Sequence, residues 1–128
     1  MPMKLQPDKS PAQAITGYGP GWIAVDGERI TSSFVISSTG LRQPWNCQAF
    51  SDLTARHFAL FDGVGVELVI FGSGDRIRFP NPSWLTPLMA RRIGVETMDT
   101  RAACRTYNIL SAEGRLVAGA FLIEDGAQ

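Results

Sequence analysis

Residues 94–110, GVETMDTRAACRTYNIL, predict a strand followed directly by a helix, and this unit indicates the fold class of the chain. VETM is typical of a short strand. Asp99 or Thr100 is suited to cap the following helix, because a side-chain oxygen there accepts a hydrogen bond from the first turn. Gly114 is predicted to end this helix, since glycine readily adopts the left-handed conformation found at helix ends. Residues 115–124, RLVAGAFLIE, then predict a last strand.

The same alternation of strand and helix is found upstream. VELVIF, residues 66–71, is apolar apart from Glu67 and is typical of a strand covered on both faces. PNPSWLTPLMARRI, residues 80–93, predicts a helix that begins near Pro82 or Ser83 and has basic residues in its last turn. Gly94 is expected to stop it.

An earlier helix is predicted from SDLTARHFALF, residues 51–61. Ser51 or Asp52 is the expected N-cap. Four side chains are then expected to share one helical face: Leu53, His57, Leu60 and Phe61.

The N-terminal half favours strands. GWIAVDGERIT, residues 21–31, predicts a hairpin, because Asp26-Gly27 supplies the positive φ angles of a tight turn. SFVIS, residues 33–37, predicts a buried strand. TGLRQPWN, residues 39–46, is interpreted as a loop, in which Trp45 is either a core residue or part of a patch that faces a partner.

Helices that alternate with buried strands indicate a layered α/β domain with crossover connections. The hairpin favours a mixed sheet over a wholly parallel one. We expect a flexible arm over residues 1–14, which contain three prolines and scattered charges, and a single domain over residues 15–125.

Composition excludes several classes of protein. The 128 residues are enough for one domain with a substantial core. Twelve basic and twelve acidic residues cancel, so the charge balance gives no indication of nucleic-acid binding. No apolar run approaches the roughly 20 residues of a membrane helix. Neither a secretory signal nor a metal-ligand spacing of cysteines is found, which predicts a cytoplasmic protein without bound metal or cofactor.

Three turns follow predicted strands and are candidates for one binding site: SSTG, GSG and MDT. Ligands of open α/β sheets bind beyond the carboxyl ends of the strands. GSG could bind an anion through main-chain N–H groups, or could be a tight turn that needs glycine, since it lacks the complete nucleotide motifs. The predicted crevice comprises Ser37, Gly72, Ser73, Gly74, Asp99, Cys104 and Arg105.

A helical projection of residues 100–113 predicts which side of that helix packs on the sheet. The expected apolar stripe consists of Ala102, Ala103, Thr106, Ile109 and Leu110, with Tyr107 at its edge. Arg101, Arg105 and Asn108 fall on the opposite side, and Cys104 lies at the boundary.

Cys104 has two interpretations. A helix start and two nearby arginines would lower its thiol pKa and favour a nucleophile. Alternatively, it is a small buried side chain without reactivity, as free cysteines often are. The second interpretation is favoured, because a nucleophile needs a proton acceptor and His57, the one histidine, is expected to pack in its own helix. Arg105 is predicted to bind an anion or an internal carboxylate such as Glu96 or Asp99.

Five segments resemble one small-domain family of bacteria, archaea and eukaryotes: ITGYG, TSSFVIS, ELVIFGSG, GVETMDTRAACRTYNIL and EGRLVAGAFL. The family includes the mitochondrial complex I assembly factor three and the adipogenesis-associated cytosolic protein, and the likeness extends from about Ile15 to Ile123. It implies a three-layer α/β fold, with about five strands in a mixed central sheet and helices on both faces. Ser73 and Thr97 are small departures from the family pattern.

The resemblance implies no established catalysis and supplies no catalytic residue. It favours a non-enzymatic interaction or assembly module that binds a protein partner, with peripheral association to membrane complexes through such partners. The alternative is a protein that binds a small molecule or anion, or an unrecognised enzyme, using the crevice at the strand ends. No sequence feature sets the oligomeric state.

Overall fold

The computed structural model describes residues 12–124. The strands are β1 (Ile15–Gly19), β2 (Trp22–Val25), β3 (Glu28–Ile30), β4 (Phe34–Ser37), β5 (Arg42–Pro44), β6 (Leu68–Gly72), β7 (Gly94–Met98) and β8 (Val117–Phe121). The helices are α1 (Ala55–Ala59), α2 (Pro82–Ala90) and α3 (Thr100–Ala112), and a 3-10 turn (Phe50–Asp52) precedes α1. Most of the predicted N-terminal arm, residues 1–11, lies outside the described residues, as does residue 125 of the predicted domain.

The central sheet has five strands in the order β5-β4-β8-β6-β7. β6 is parallel to both β7 and β8, whereas β4 is antiparallel to β8 and to β5. The predicted mixed sheet is therefore confirmed, but for another reason. The hairpin belongs to a separate three-stranded sheet, β1-β2-β3, and the antiparallel pairs of the central sheet come from β4 and β5.

The strand alternation divides the interior into two apolar cores. Val69 and Phe71 of β6 face one core, which α1 and α2 cover with Phe58 and Leu88. Ile70 faces the other. That second core is covered by α3 and by the three-stranded sheet, so the central sheet is the middle of three layers. The expected three-layer architecture is confirmed.

The predicted hairpin turn is present at Asp26-Gly27, where φ is 49° and 87°. Asn108 of α3 joins the resulting sheet to the rest of the domain. Its side chain accepts from the Ile15 N–H (2.8 Å) and donates to the Ile15 carbonyl (2.7 Å), as a neighbouring strand would. Gln13 similarly donates to the Leu41 carbonyl at 2.6 Å.

Two predictions upstream of β6 are wrong. The loop predicted over residues 39–46 contains β5, in which the main chain of Gln43 pairs with Val35. The helix predicted to start at Ser51 or Asp52 instead starts after Thr54. Asp52 accepts from the N–H groups of Gln48 and Ala49, which closes the 3-10 turn before the α-helix can begin.

The end of α2 also differs from the prediction. The helix begins at Pro82 as expected but ends at Ala90, so its last turn contains no basic residue. The Ile93 N–H bonds to the Leu88 carbonyl (2.9 Å), and Arg92 takes a left-handed φ of 61° to make this reversal. Gly94 therefore begins β7 rather than ending the helix.

α3 has the predicted cap but a different buried side. Asp99 accepts from the Ala102 N–H at 3.0 Å. The buried residues are Ala103, Cys104 and Tyr107, whereas Ile109 is 58% exposed. The packed stripe is thus rotated from the predicted one, because the first turn of α3 lies directly on Gly72. A Cβ atom at Gly72 would be 3.0 Å from both the Thr100 Cα and the Ala103 Cβ.

We expect Gly72→Ala to destabilise the protein by about 1–3 kcal/mol, since the clash involves helix main chain that cannot rotate away. Urea unfolding measures the change in the free energy of unfolding. Gly94→Ala is the matched control, because its Cβ would meet only the flexible Leu68 side chain at 3.4 Å. Equal losses in both variants would contradict this packing argument.

Candidate functional site

The carboxyl ends of β6, β7 and β8 meet the start of α3, so GSG and MDT come together as predicted. Thr100 makes the central contacts. Its N–H donates to the Gly74 carbonyl (2.8 Å), while its hydroxyl accepts from the Gly74 N–H (2.8 Å) and donates to the Leu122 carbonyl (3.1 Å). The Ser73 N–H donates to the Met98 carbonyl at 2.9 Å.

Ser37 does not belong to this region, and its predicted place in the crevice is wrong. β4 is antiparallel to β8, so Ser37 lies opposite Ala118 at the far end of the sheet. Its buried hydroxyl oxygen accepts from the N–H groups of Thr39 (3.2 Å) and Leu41 (2.9 Å). Ser37 therefore stabilises the turn into β5.

The geometry of GSG is that of a tight turn. The N–H groups of Ser73 and Gly74 are both bonded inside the protein, so neither points to a ligand. The buried Ser73 hydroxyl donates to the Arg76 carbonyl (2.7 Å) and accepts from the Arg78 N–H (2.9 Å). Gly74 has a φ of 102°, a conformation that favours glycine.

A cleft of about 470 Å³ lies beside this turn, between the β1–β2 connection and the start of α3. Of the seven predicted crevice residues, only Gly74 and Asp99 line it. Gly72, Ser73 and Cys104 are buried. The other lining residues are Tyr18, Gly19, Pro20, Gly21, Trp22, Ile23, Asp75, Thr100, Arg101, Leu122, Ile123 and Glu124.

The charges of the cleft do not favour an anion. Three carboxylates, those of Asp75, Asp99 and Glu124, line it with the single cation Arg101. Asp99 already occupies the N-terminus of α3 through the Ala102 N–H. Arg105 is not among the lining residues, and its guanidinium donates to the hydroxyl of Tyr18, which lines the cleft, at 3.0 Å.

Arg78 and Glu124 form a polar link that sequence patterns did not reveal. Arg78 donates to the Ser73 carbonyl (2.6 Å) and to Glu124 (2.5 Å), and Glu124 also accepts from the Phe50 N–H (3.0 Å). Burial opposes ionisation of Glu124, but these hydrogen bonds and the charges of Arg78 and Arg76 outweigh it and lower its pKa. The network joins the β6 turn to the end of β8 and to the 3-10 turn.

The buried environment of Cys104 matches the structural interpretation. The residue is 1% exposed. Burial raises the pKa of its thiol to about 12, and the opposing effect of Arg105 does not offset it. His57 lies with Trp45 on the other side of the central sheet, where its Nε2 is 2.8 Å from the Asn46 carbonyl. The sheet therefore separates the thiol from the imidazole.

Trp45 is a core residue. It is buried, and its indole N–H donates to the His57 carbonyl at 3.0 Å. Its ring makes edge contacts with Phe58 and Phe71. The alternative of a partner-facing Trp45 is therefore wrong.

Within residues 12–124, no group of three or more histidine, cysteine, aspartate or glutamate side chains is placed to hold a metal ion. No helix in that range combines the length and apolar character needed to span a membrane.

These features define a small α/β domain whose mixed sheet lies between two helices on one side and a helix plus a second sheet on the other. Residues 15–122 match the family described as "Protein of unknown function (DUF498/DUF598)". The chain belongs to this family, as the sequence resemblance predicted.

Named relatives and solved structures agree with the assignment. The chain is 36% identical over 121 residues to NADH dehydrogenase [ubiquinone] 1 alpha subcomplex assembly factor 3 of Bos taurus, covering 93% of this chain and 65% of that protein. A crystal structure of a Bordetella parapertussis protein matches with a TM-score of 0.83 and 38% identity, over 88% of this chain and 97% of that one. The solution structure of a Bordetella pertussis Mth938-like domain matches with a TM-score of 0.78 and 30% identity, over 97% of this chain and 93% of that one.

We predict that Cys104 reacts slowly with a thiol reagent in the native protein at neutral pH. A pKa of about 12 instead of 9.0 reduces the thiolate population about a thousandfold, and the side chain is also inaccessible. Labelling as a function of pH in a Cys47→Ser background isolates Cys104. Fast labelling at pH 6 that Arg105→Ala abolishes would contradict the structural interpretation.

We predict that Glu124→Gln lowers the free energy of unfolding at pH 7 by roughly 1–3 kcal/mol, the usual effect of losing hydrogen bonds to a charged group. Because the folded state lowers the Glu124 pKa, this contribution is complete above the unfolded pKa of about 4.3 and is lost as pH falls further. Denaturant unfolding between pH 3 and 7 measures it. Glu113→Gln, at an exposed position, is the control. If Glu124→Gln lowers the free energy of unfolding by the same amount at every pH, the role of the Glu124 charge is refuted.

Proposed function

We propose that this protein is a non-enzymatic assembly module that binds a protein partner through the loop of residues 75–79. The observation that carries the proposal is an apolar surface held in a fixed conformation. Ile77 is 51% exposed and Phe79 is 74% exposed, although both lie in a loop bonded firmly to the domain.

Both ends of the loop are anchored. At its start, the Ser73 hydroxyl bonds to the main chain of Arg76 and Arg78. The Arg78 side chain bonds to Glu124 and lies over the Phe50 ring at 4.9 Å, and Pro80 beyond the loop is buried. Such a loop loses little conformational entropy on binding, so its exposed phenylalanine can contribute most of its burial energy to an interface.

The composition of the loop is that of a protein-binding surface. Aromatic and arginine side chains dominate the energetics of such interfaces, and here Phe79 is accompanied by the exposed Arg76. The alternative of an anion site in the cleft has less support, since the N–H groups of Ser73, Gly74, Thr100 and Ala102 are bonded internally.

The relatives supply the class of partner. The bovine relative is named as an assembly factor of an NADH dehydrogenase, complex I, and this chain spans 65% of its length. We therefore propose subunits of that enzyme as the partners, with peripheral association to the membrane complex through them. The cytoplasmic location stays a prediction.

The test is co-purification of the tagged protein from extracts of the native cells, with quantification of NADH dehydrogenase subunits by mass spectrometry. We expect Phe79→Ser to reduce their recovery at least about tenfold, because truncating a central aromatic anchor commonly costs 2 kcal/mol or more. The thermal unfolding temperature should change little, since the side chain is largely exposed.

Ile109→Ser is the matched control, because it removes a similarly exposed apolar side chain from α3. Its recovery of the same subunits should equal that of the unsubstituted protein. Equal recovery with Phe79→Ser would refute the role of the loop. If the unsubstituted protein recovers no NADH dehydrogenase subunit above a tag-only control, the proposed partner class is wrong.

A further inference from the structure

β7 is an edge strand with an unoccupied side. Within residues 12–124 it pairs only with β6, and it is the last strand in the order of the central sheet. Its sequence, GVETM, contains no proline, lysine or arginine. Natural proteins often protect edges with proline or charged side chains, especially lysine, because an open edge can pair with another chain. The one charged residue of β7 is Glu96.

The hydrogen-bond register identifies the groups that face outward. The Gly94 N–H bonds to the Glu67 carbonyl, and the Met98 carbonyl accepts from the Ser73 N–H. Because a parallel strand bonds to one neighbour through alternate residues, the main-chain groups that face β6 belong to residues 94, 96 and 98. The N–H and C=O groups of Val95 and Thr97 therefore face the free edge.

The opposite edge of the sheet is protected. β5 has three residues and ends in Pro44, which has no N–H to donate. Arg42 within it is held by Glu28 at 2.8 Å. The contrast between the two edges shows that β7 lacks the protection that β5 has.

Charge determines which strand can occupy β7. Glu96 is exposed at the centre of the strand and forms none of the four ion pairs among the described residues. Two copies of this protein could also pair their β7 strands antiparallel. If Val95 of each copy pairs with Thr97 of the other, Glu96 lies opposite Glu96. The two carboxylates would then be directly opposed, which destabilises a sheet, whereas a basic side chain at that position would stabilise it.

We propose that β7 is a strand-addition site for an extended protein segment with a lysine or arginine opposite Glu96. Val95 and Thr97 supply two outward pairs of main-chain groups, and Glu96 selects the charge. The site lies next to the proposed partner-binding loop, because Ser73 joins Met98 at the end of β7 to the main chain of Arg78. It does not depend on that loop and is tested separately.

The probes are two synthetic peptides of alternating valine and threonine that differ only in a central lysine or glutamate. Titration of the full chain, followed by amide chemical shifts, should give saturable changes at Val95 and Thr97 with the lysine peptide. The glutamate peptide should bind about tenfold more weakly, because it loses the charge pair with Glu96 and opposes a second carboxylate to it. Glu96→Lys should reverse this preference.

Thr97→Pro removes the outward N–H while leaving the bonds to β6, and proline is tolerated at such edge positions. We expect it to abolish binding, whereas Thr97→Val, which keeps the N–H, should not. If Thr97→Pro fails to fold, Glu96→Lys still tests the proposal, because it leaves the main chain unchanged. Equal binding of the two peptides, or shifts confined to other residues, would overturn the proposal. So would a dimer in sedimentation whose Val95 and Thr97 amides are protected without peptide.

Discussion

The close contact between the first turn of α3 and Gly72 is the constraint on which most of this structure depends. Without a side chain at Gly72, the main chain of Thr100 comes near enough for its hydroxyl to bond to both Gly74 and Leu122. These bonds join the ends of β6 and β8 to the helix. The same contact sets the rotation of α3, and this rotation places Ala103, Cys104 and Tyr107 in the second core.

The polar groups near this contact bond within the domain, whereas other exposed groups are available to a partner. At the carboxyl end of the parallel strands, where many α/β proteins bind ligands, the N–H groups of Ser73, Gly74 and Thr100 are bonded internally. The large apolar side chain at Phe79 and the main chain at the β7 edge lack such internal partners among the described residues. This distribution supports the proposed role in binding a protein.

Local sequence rules predicted the local structure well. Asp26-Gly27, Asp99 and the apolar run 66–71 each have a short-range physical cause, and each behaves as expected. Strand direction has no such local cause. Ser37 ends β4 just as Gly72 ends β6, but the antiparallel placement of β4 puts Ser37 at the opposite end of the sheet.

Side-chain partners that are distant in the sequence could not be predicted either. Arg78 and Glu124 are 46 residues apart, so no spacing rule connects them. The buried side of α3 was predicted from hydrophobicity alone, which places Ile109 inward. Contact with Gly72 instead favours the side with the small residues Ala103 and Cys104, and packing overrides the hydrophobic pattern. The aspartate that caps this helix was predictable, whereas the helix rotation required knowledge of its neighbour.

The position of β8 has a consequence for how the domain is made. β8 comes last among the described strands, yet it lies in the middle of the central sheet, between β4 and β6. Until the segment Val117–Phe121 has been synthesised, β5-β4 and β6-β7 are two half-sheets with no strand between them. Each half would expose an unpaired inner strand edge during synthesis, a feature that makes incompletely folded chains prone to aggregate. Folding of this domain is therefore completed late, when one short buried strand, VAGAF, inserts and joins the two halves.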